Sequence, residues 1–404
     1  MSQIRFIFIG SYVGENVSGS HRQERFIRRC LQQNIKVTLL KPSGNLNGRW
    51  DFDSLNDFDK WKLLHKPSNF RTSVSSSLGK KYLIILKHLF FIDIIGRGFF
   101  ATIWLILYNN KLFVKDYFLL VSSPSFSSVV SVYLCSLIPN KSLRFSIDMR
   151  DAWANHKSIN IFRRVRNYIE SKVLKRAENV ITVSKYLAEE FELNYSIRVD
   201  VIYNVNRSIQ VLPKLNRRSN NKILRFSYFG SLPMNFYDLN IFCKGISELL
   251  SVNSQFVDSF LFSFYGACDE LKDCLVFYPE IRDYFLFFPS VSHDEALVLM
   301  LDCDAVLFLG FNAEKNAGVV STKIFEYFYL KVKILPFGIR KDSDLDWLFM
   351  NCCGKSVYLN SSADFSNYLF LILGDLEILP CCINDDLLFE LDRTYDIFIN
   401  RNLK

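Results

Sequence analysis

The chain has 404 residues, half of them apolar, with a formal net charge of +8, 38 phenylalanines and 19 tyrosines. Such a length accommodates two domains with separate cores, and the apolar share excludes a disordered chain. The modest positive charge suits an anionic ligand or an anionic membrane surface, and no basic helix or stacking-and-glycine pattern argues for nucleic acid.

The ten cysteines follow no disulfide or zinc spacing, and two pairs, Cys352–Cys353 and Cys381–Cys382, are adjacent. This reads as small core residues in a reducing compartment, with no metal expected. Ile4–Ile9 is a short apolar run ending on Gly10, Ser11 and Tyr12, a first strand and its loop rather than a signal peptide, so a cytoplasmic location is expected. The loop continues through Gly14, Gly19, Ser20 and His21. A helix over Arg22–Gln33 follows, with Phe26, Ile27, Cys30 and Leu31 on one face, and then the run Lys36–Leu40. Strand, glycine loop, helix and strand form the βαβ unit of a doubly wound sheet. The glycines do not spell GxGxxG, so no nicotinamide or flavin cofactor is expected.

Residues 43–80 are polar and read as irregular. The stretch 82–113 is apolar and aromatic but interrupted by Lys87, His88, Asp93 and Arg97. Its longest uncharged piece, Gly98–Tyr108, falls short of the ~20 residues of a spanning helix. It reads either as a core helix of the first domain or as an amphipathic face touching a membrane.

Tyr117–Val121 is a buried strand, followed by a helix over Ser128–Leu137 and a strand over Arg144–Ile147. That strand runs into Asp148-Met149-Arg150-Asp151-Ala152-Trp153. Open α/β sheets put their ligands at the carboxyl ends of their strands. There Asp148 or Asp151 could take a proton from a hydroxyl or hold a sugar, and Arg150 could pair with phosphate. The alternative is local: Asp151 capping a helix and pairing with Arg150. A charged helix over Ile161–Ala177, a strand over Asn179–Ser184, a helix over Lys185–Phe191 and a strand over Val199–Tyr203 complete the first half.

Residues 207–222 are polar and basic with one proline and read as a linker. Leu224–Tyr228 opens a second doubly wound unit ending on Phe229-Gly230-Ser231-Leu232. Helix Leu239–Leu250, strand Phe260–Tyr265 with Gly266, strand Phe285–Phe288, a helix opened by Ser292, His293 and Asp294, and strand Cys303–Leu309 follow. Then comes AGVVSTKIFEYFYLKVKILPFG, Ala317–Gly338, in which Ser321, Thr322 and Lys323 are suited to opening a helix. A helix start attracts anions, and glycine lets phosphate approach the backbone. Glu326, one turn in, could accept hydrogen bonds from a sugar's hydroxyls. The residues alone fit a nucleotide-diphosphate site or an ordinary helix–strand unit with a solvent-facing Glu326. Helices around Phe365–Leu373 and Asp385–Phe398 end the chain.

Asp148–Trp153, Arg176–Ser184 (RAENVITVS) and Val201-Ile202-Tyr203-Asn204 together resemble the bacterial glycosyltransferases of family 4. Lys323, Ile324, Phe325, Glu326 and Tyr327 match the subgroup's KxFEY pattern. The resemblance implies an α/β chain of GT-B fold, two Rossmann-like doubly wound domains facing a cleft: an acceptor domain over 1–206 and a nucleotide-sugar domain over 223–385. Residues 386–404 would pack back on the first domain. It implies a retaining, metal-independent transfer from a nucleotide sugar to a lipid-linked saccharide in capsule, O-antigen or exopolysaccharide synthesis, by a cytoplasmic enzyme peripheral to the membrane. The expected sites are Asp148, Arg150 and Asp151 for catalysis; Gly10, Gly19, Ser20 and His21 for the acceptor; and, for the donor, Gly230, Ser231, Gly266, the amides of Gly318, Val319, Val320 and Ser321, Thr322, Lys323 and Glu326, with Glu326 on the ribose.

The chain departs from that pattern twice. Gly318 stands where family members carry a first Glu, eight positions before Glu326, while Glu314 is out of register. Met234, Asn235, Phe236 and Tyr237 occupy the stretch where an Arg or Lys usually follows the Gly230 loop, and the nearest bases are Arg225 and Lys244. These departures keep open a non-catalytic GT-B protein that binds carbohydrate or a partner enzyme; a nucleotide-sugar 2-epimerase shares the same fold, but the sequence shows no extra cluster of the catalytic acids it needs.

Overall fold

A computed structural model of the chain describes residues 4–10, 13, 18–42, 48–64, 97–113, 116–123, 126–139, 143–153, 163–205, 223–232, 236–311, 318–374 and 384–402. The chain divides into two compact units, Met1–Tyr203 with Arg393–Lys404, and Asn204–Asp392. The linker expected over 207–222 lies outside the described residues.

The first unit is built on β1 (Arg5–Ile9), β2 (Val37–Lys41), β3 (Gly48–Phe52), β4 (Tyr117–Ser122), β5 (Ser146–Met149), β6 (Val180–Thr182) and β7 (Val199–Val201). They form one sheet in the order β3-β2-β1-β4-β5-β6-β7. Helices α1 (Ser18–Gln32), α2 (Leu55–Leu64), α3 (Arg97–Tyr108), α4 (Phe126–Ser136), α5 (Arg163–Arg176) and α6 (Lys185–Tyr195) connect the strands. Strands β1, β2 and β4 are almost wholly buried, as expected of apolar runs covered by helices on both faces.

Two expectations change here. Residues 43–80 are not irregular throughout: β3 pairs antiparallel with β2, and α2 follows it. Strand β3 alternates Arg49 and Asp51 toward solvent with Trp50 and Phe52 inward, the period-2 pattern of a half-exposed edge strand. The strand expected over Arg144–Ile147 lies instead over Ser146–Met149, which draws Asp148 into the sheet. Of the apolar stretch 82–113, the described part 97–113 forms α3 and a short 3-10 turn, Asn110–Phe113. Among the described residues no helix is long and apolar enough to cross a membrane.

The second unit has β8 (Leu224–Phe229), β9 (Phe260–Tyr265), β10 (Phe285–Phe288), β11 (Ala305–Leu309) and β12 (Ile334–Phe337). This sheet is parallel throughout, in the order β10-β9-β8-β11-β12. Its helices are α7 (Leu239–Val252), α8 (Asp269–Leu275), α9 (His293–Asp302), α10 (Lys323–Leu330), α11 (Asp344–Cys353) and α12 (Ser362–Leu373). The phenylalanine-rich composition supplies the core. Phe242 of α7 lies edge-on to Phe262 and Phe337, with ring centroids 5.4 and 5.5 Å away, and 5.0 Å from Phe365 of α12. Lys331 ends α10 in the left-handed region, φ 52°, and the chain turns directly into β12.

The last helix, α13 (Asp385–Asn402), places Tyr395, Phe398 and Ile399 in the core of the first unit. Tyr395 packs on Phe26 with centroids 4.8 Å apart. Asn402 accepts a 2.6 Å hydrogen bond from Asn179.

Candidate functional site

In both units the strands' carboxyl ends bring together most of the candidates. In the first unit Asp148 closes β5 and is fully buried. Its carboxylate accepts from Arg22 Nε at 2.9 and 3.1 Å, lies 2.8 Å from Arg22 Nη2, and accepts from Ser122 Oγ at 3.0 Å. Arg22, itself buried, also donates to the Ile202 carbonyl at 2.6 Å and to Tyr395 Oη at 3.2 Å. Asp148 is thus a counter-ion that ties β5, α1, the end of β7 and α13 together. A buried pair of this kind contributes geometry, and losing one partner strands the other charge.

The rest of the Asp148–Trp153 motif divides between packing and exposure. Arg150 Nε donates to the Ser123 carbonyl at 2.7 Å, which fixes the turn after β5 against the turn after β4. Trp153 stacks on Phe126 at 4.0 Å, lies beneath Arg166, and its amide donates to the buried Glu170 at 3.1 Å. Asp151 is exposed, so of the two aspartates it is the one that solvent reaches. Gly10, at the end of β1, is packed so closely that a Cβ would stand 2.4 Å from the Phe8 ring. Gly19 and Ser20 are in the first turn of α1, with exposed His21 just after them. Lys41, at the end of β2, is fully buried and donates to the Val13 carbonyl at 2.8 Å.

In the second unit, Gly230 and Gly266 end the neighbouring strands β8 and β9 with φ of 121° and 136°. Both torsions lie in the region that favours glycine, and the two backbones touch: a Cβ on Gly266 would stand 2.5 Å from the Gly230 carbonyl oxygen. The same construction on Gly230 meets the Lys323 amine at 2.6 Å. Lys323 opens α10, and its side chain crosses to the end of β8, where Nζ donates to Tyr228 Oη at 2.9 Å and lies 4.3 Å above the Tyr228 ring. Tyr237 steadies that phenol through a 3.3 Å contact between the two hydroxyls. Burial pushes the Lys323 ammonium down to about 8, against the pull of the Glu326 charge.

The start of α10 differs from that of several other helices. Ser184, Ser292, Ser343 and Ser361 close α6, α9, α11 and α12 by accepting a backbone N–H. Thr322 occupies the same position on α10 and makes no side-chain cap. Gly318 is in a turn with φ 83°, Val320 is buried, and Ser321 and Thr322 are half-buried. The first turn of α10 therefore has no hydroxyl cap; its Ile324 and Phe325 amides donate to the Ser321 and Thr322 carbonyls at 3.3 and 3.2 Å, and the positive end of the helix with the Lys323 amine beside it suits an oxyanion.

Glu326, one turn into α10, is mostly shielded, with its side chain 15% exposed, and its Oε1 is 3.1 Å from Nε2 of His293. The sequence marked His293 only as a helix start and Tyr228 only as the end of a strand. Their partners lie 33 and 95 positions away, beyond any local pattern.

No protein-family model matches the chain, and no curated protein matches it by sequence. Solved structures do match. A lipopolysaccharide outer core galactosyltransferase in its apo form has 13% identity and a TM-score of 0.54 over 99% of this chain and 98% of its own. An α,α-trehalose-phosphate synthase (UDP-forming) from Burkholderia xenovorans, in complex with glucose-6-phosphate, reaches 0.59 at 9% identity, covering 99% of this chain and 100% of its own. The N-terminal domain of trehalose-6-phosphate phosphatase from Candida albicans reaches 0.62 at 9% identity, over 100% and 97%. The chain has the GT-B fold. Both of its units are Rossmann-like, and the start of α10 with the Gly230 and Gly266 turns occupies the carboxyl edge where such sheets hold ligands.

Proposed function

We propose that the chain is a glycosyltransferase of the family 4 type, moving a sugar from a nucleotide-sugar donor to a saccharide acceptor. One observation carries the reading: Lys323 reaches from α10 across Gly230, so that a cation stands at the β8 turn although the loop after it supplies none. The usual clamp is replaced from a different element. In this scheme the amides at Gly318–Thr322 and the Lys323 amine hold the diphosphate and stabilise it as it leaves, with no metal ion called upon. Glu326 takes the ribose hydroxyls, and the Gly230-Ser231 and Gly266 turns give the nucleotide room.

The first unit takes the acceptor, through Asp151 and Arg150 after β5 and through Gly10, Gly19, Ser20 and His21. The resemblance to family 4 favours retention of configuration and a lipid-linked acceptor in surface-polysaccharide synthesis at the cytoplasmic face. Phe100, Trp104, Leu107 and Tyr108 of α3 are exposed along one helical face, with the Trp104 and Tyr108 rings stacked 4.9 Å apart, which suits contact with a lipid surface.

The test is donor turnover. Incubation with a panel of UDP-, GDP- and dTDP-sugars should give slow release of nucleotide from at least one of them, and Glu326→Ala should weaken that donor's binding without lowering the melting temperature. Absence of binding to the whole panel by calorimetry rejects the enzyme in favour of a scaffold.

A further inference from the structure

We infer that His293 is a positioning residue for Glu326, holding its carboxylate ready for the ribose hydroxyls of a nucleoside diphosphate. The inference rests on the donor-site reading above and adds a residue that reading does not contain.

The geometry comes from two helices. His293 is the first residue of α9, and Ser292 fixes that start by accepting the Glu295 amide at 3.3 Å. The imidazole therefore projects from an anchored point, and Nε2 meets Oε1 of Glu326 at 3.1 Å. A glutamate side chain has three rotatable bonds, and this hydrogen bond selects one arrangement of them. Preorganising an acceptor before the ligand arrives removes an ordering cost from binding. With Oε1 engaged, the remaining acceptor sites of the carboxylate serve a hydroxyl.

The surrounding charges favour the protonated ring. Glu326 faces Nε2 from α10, and Asp294 on α9 lies 3.9 Å from Nδ1. Lys323, one turn earlier on α10, acts on the same carboxylate through its charge. The Glu326 hydrogen bond, opposed by burial, raises the His293 pKa above its ordinary 6.5. A raised value means the charged pair is fully formed below 6.5 and is lost as pH rises through the shifted value. The neutral ring keeps at most a single-donor bond, so Glu326 is held less firmly at higher pH.

The experiment is calorimetry on the full chain with UDP, GDP and ADP at pH 6 and pH 8. Glu326→Ala should lower affinity for the best binder by about 10–100-fold, the worth of charge-assisted hydrogen bonds. His293→Ala should lower it about 5–10-fold. His293→Gln, whose amide NH2 donates from the position of Nε2, should restore most of the loss and show a smaller fall between pH 6 and pH 8 than the wild type, the part due to Lys323 remaining. The 2′,3′-dideoxy form of the same nucleotide should bind wild type and His293→Ala equally. Wild-type affinity in His293→Ala, alongside a weakened Glu326→Ala, overturns the inference and leaves the donor site standing. Equal weakness of His293→Gln and His293→Ala also overturns it. Absence of binding by the wild type to all three nucleotides removes the site and the inference together.

Discussion

At the carboxyl edge of the first sheet Arg22 and Asp148 close on one another out of reach of solvent, whereas at the edge of the second Lys323 and Glu326 remain partly accessible. Both edges belong to Rossmann-like units; the first pairs a cation and a carboxylate 126 positions apart, and the second sets a cation and a carboxylate of one helix against partners from other elements. In the first, the charges are consumed internally: Arg22 serves Asp148, Ile202 and Tyr395. In the second, Lys323 rests on a neutral phenol and Glu326 on a histidine, partners that leave capacity for an anion and for hydroxyls. A charge that is already neutralised and buried builds the fold; one leaning on a weaker partner at an open edge is available to a ligand.

The largest way to break this comparison is Asp148→Asn. It leaves the Arg22 guanidinium buried without its counter-charge, and the expected loss is about 3–5 kcal/mol, read by thermal and urea unfolding. Wild-type stability in that variant would place Asp148 among the functional groups after all. Asp151→Asn should do the reverse, with unfolding unchanged, donor affinity little altered and turnover about 100-fold lower. Full turnover rejects a role for that carboxylate.

Lys323→Met should reduce affinity for the nucleoside diphosphate about 10–30-fold at pH 7 by calorimetry. Because the free amine titrates at about 8, wild-type affinity should fall as pH rises through that value, whereas Lys323→Met should lack that fall. The smallest effect is expected at α3. Replacing Trp104 and Tyr108 with serine should reduce co-flotation with anionic lipid vesicles several-fold and leave donor turnover in solution intact.

Much of the scaffold was legible because its strands are uninterrupted apolar runs. In Phe260–Tyr265 and Phe285–Phe288 the apolar run and the strand share the same limits. Gly48–Phe52 escaped because Arg49 and Asp51 fill its outward positions, so it reads as polar loop although Trp50 and Phe52 face inward. The motif Asp148–Trp153 could be located but not divided. What separates Asp148 from Asp151 is Arg22, 126 positions earlier, together with a strand that extends to Met149. Likewise KxFEY marked Lys323 and Glu326, while Tyr228 and His293, which set their orientation, carry no signal beyond lying at an element's end.

The helix Asp385–Asn402 has a consequence for biosynthesis. Tyr395, Phe398 and Ile399 complete a core whose other members, from Phe6 to Ile202, lie in the first half of the chain. A ribosome delivers those three residues only after every strand of the second unit has emerged. Until then the Phe26 side of the first unit's sheet lacks three of its core side chains, so the apolar surface around Phe26 and Phe118 is exposed while the second unit is being made.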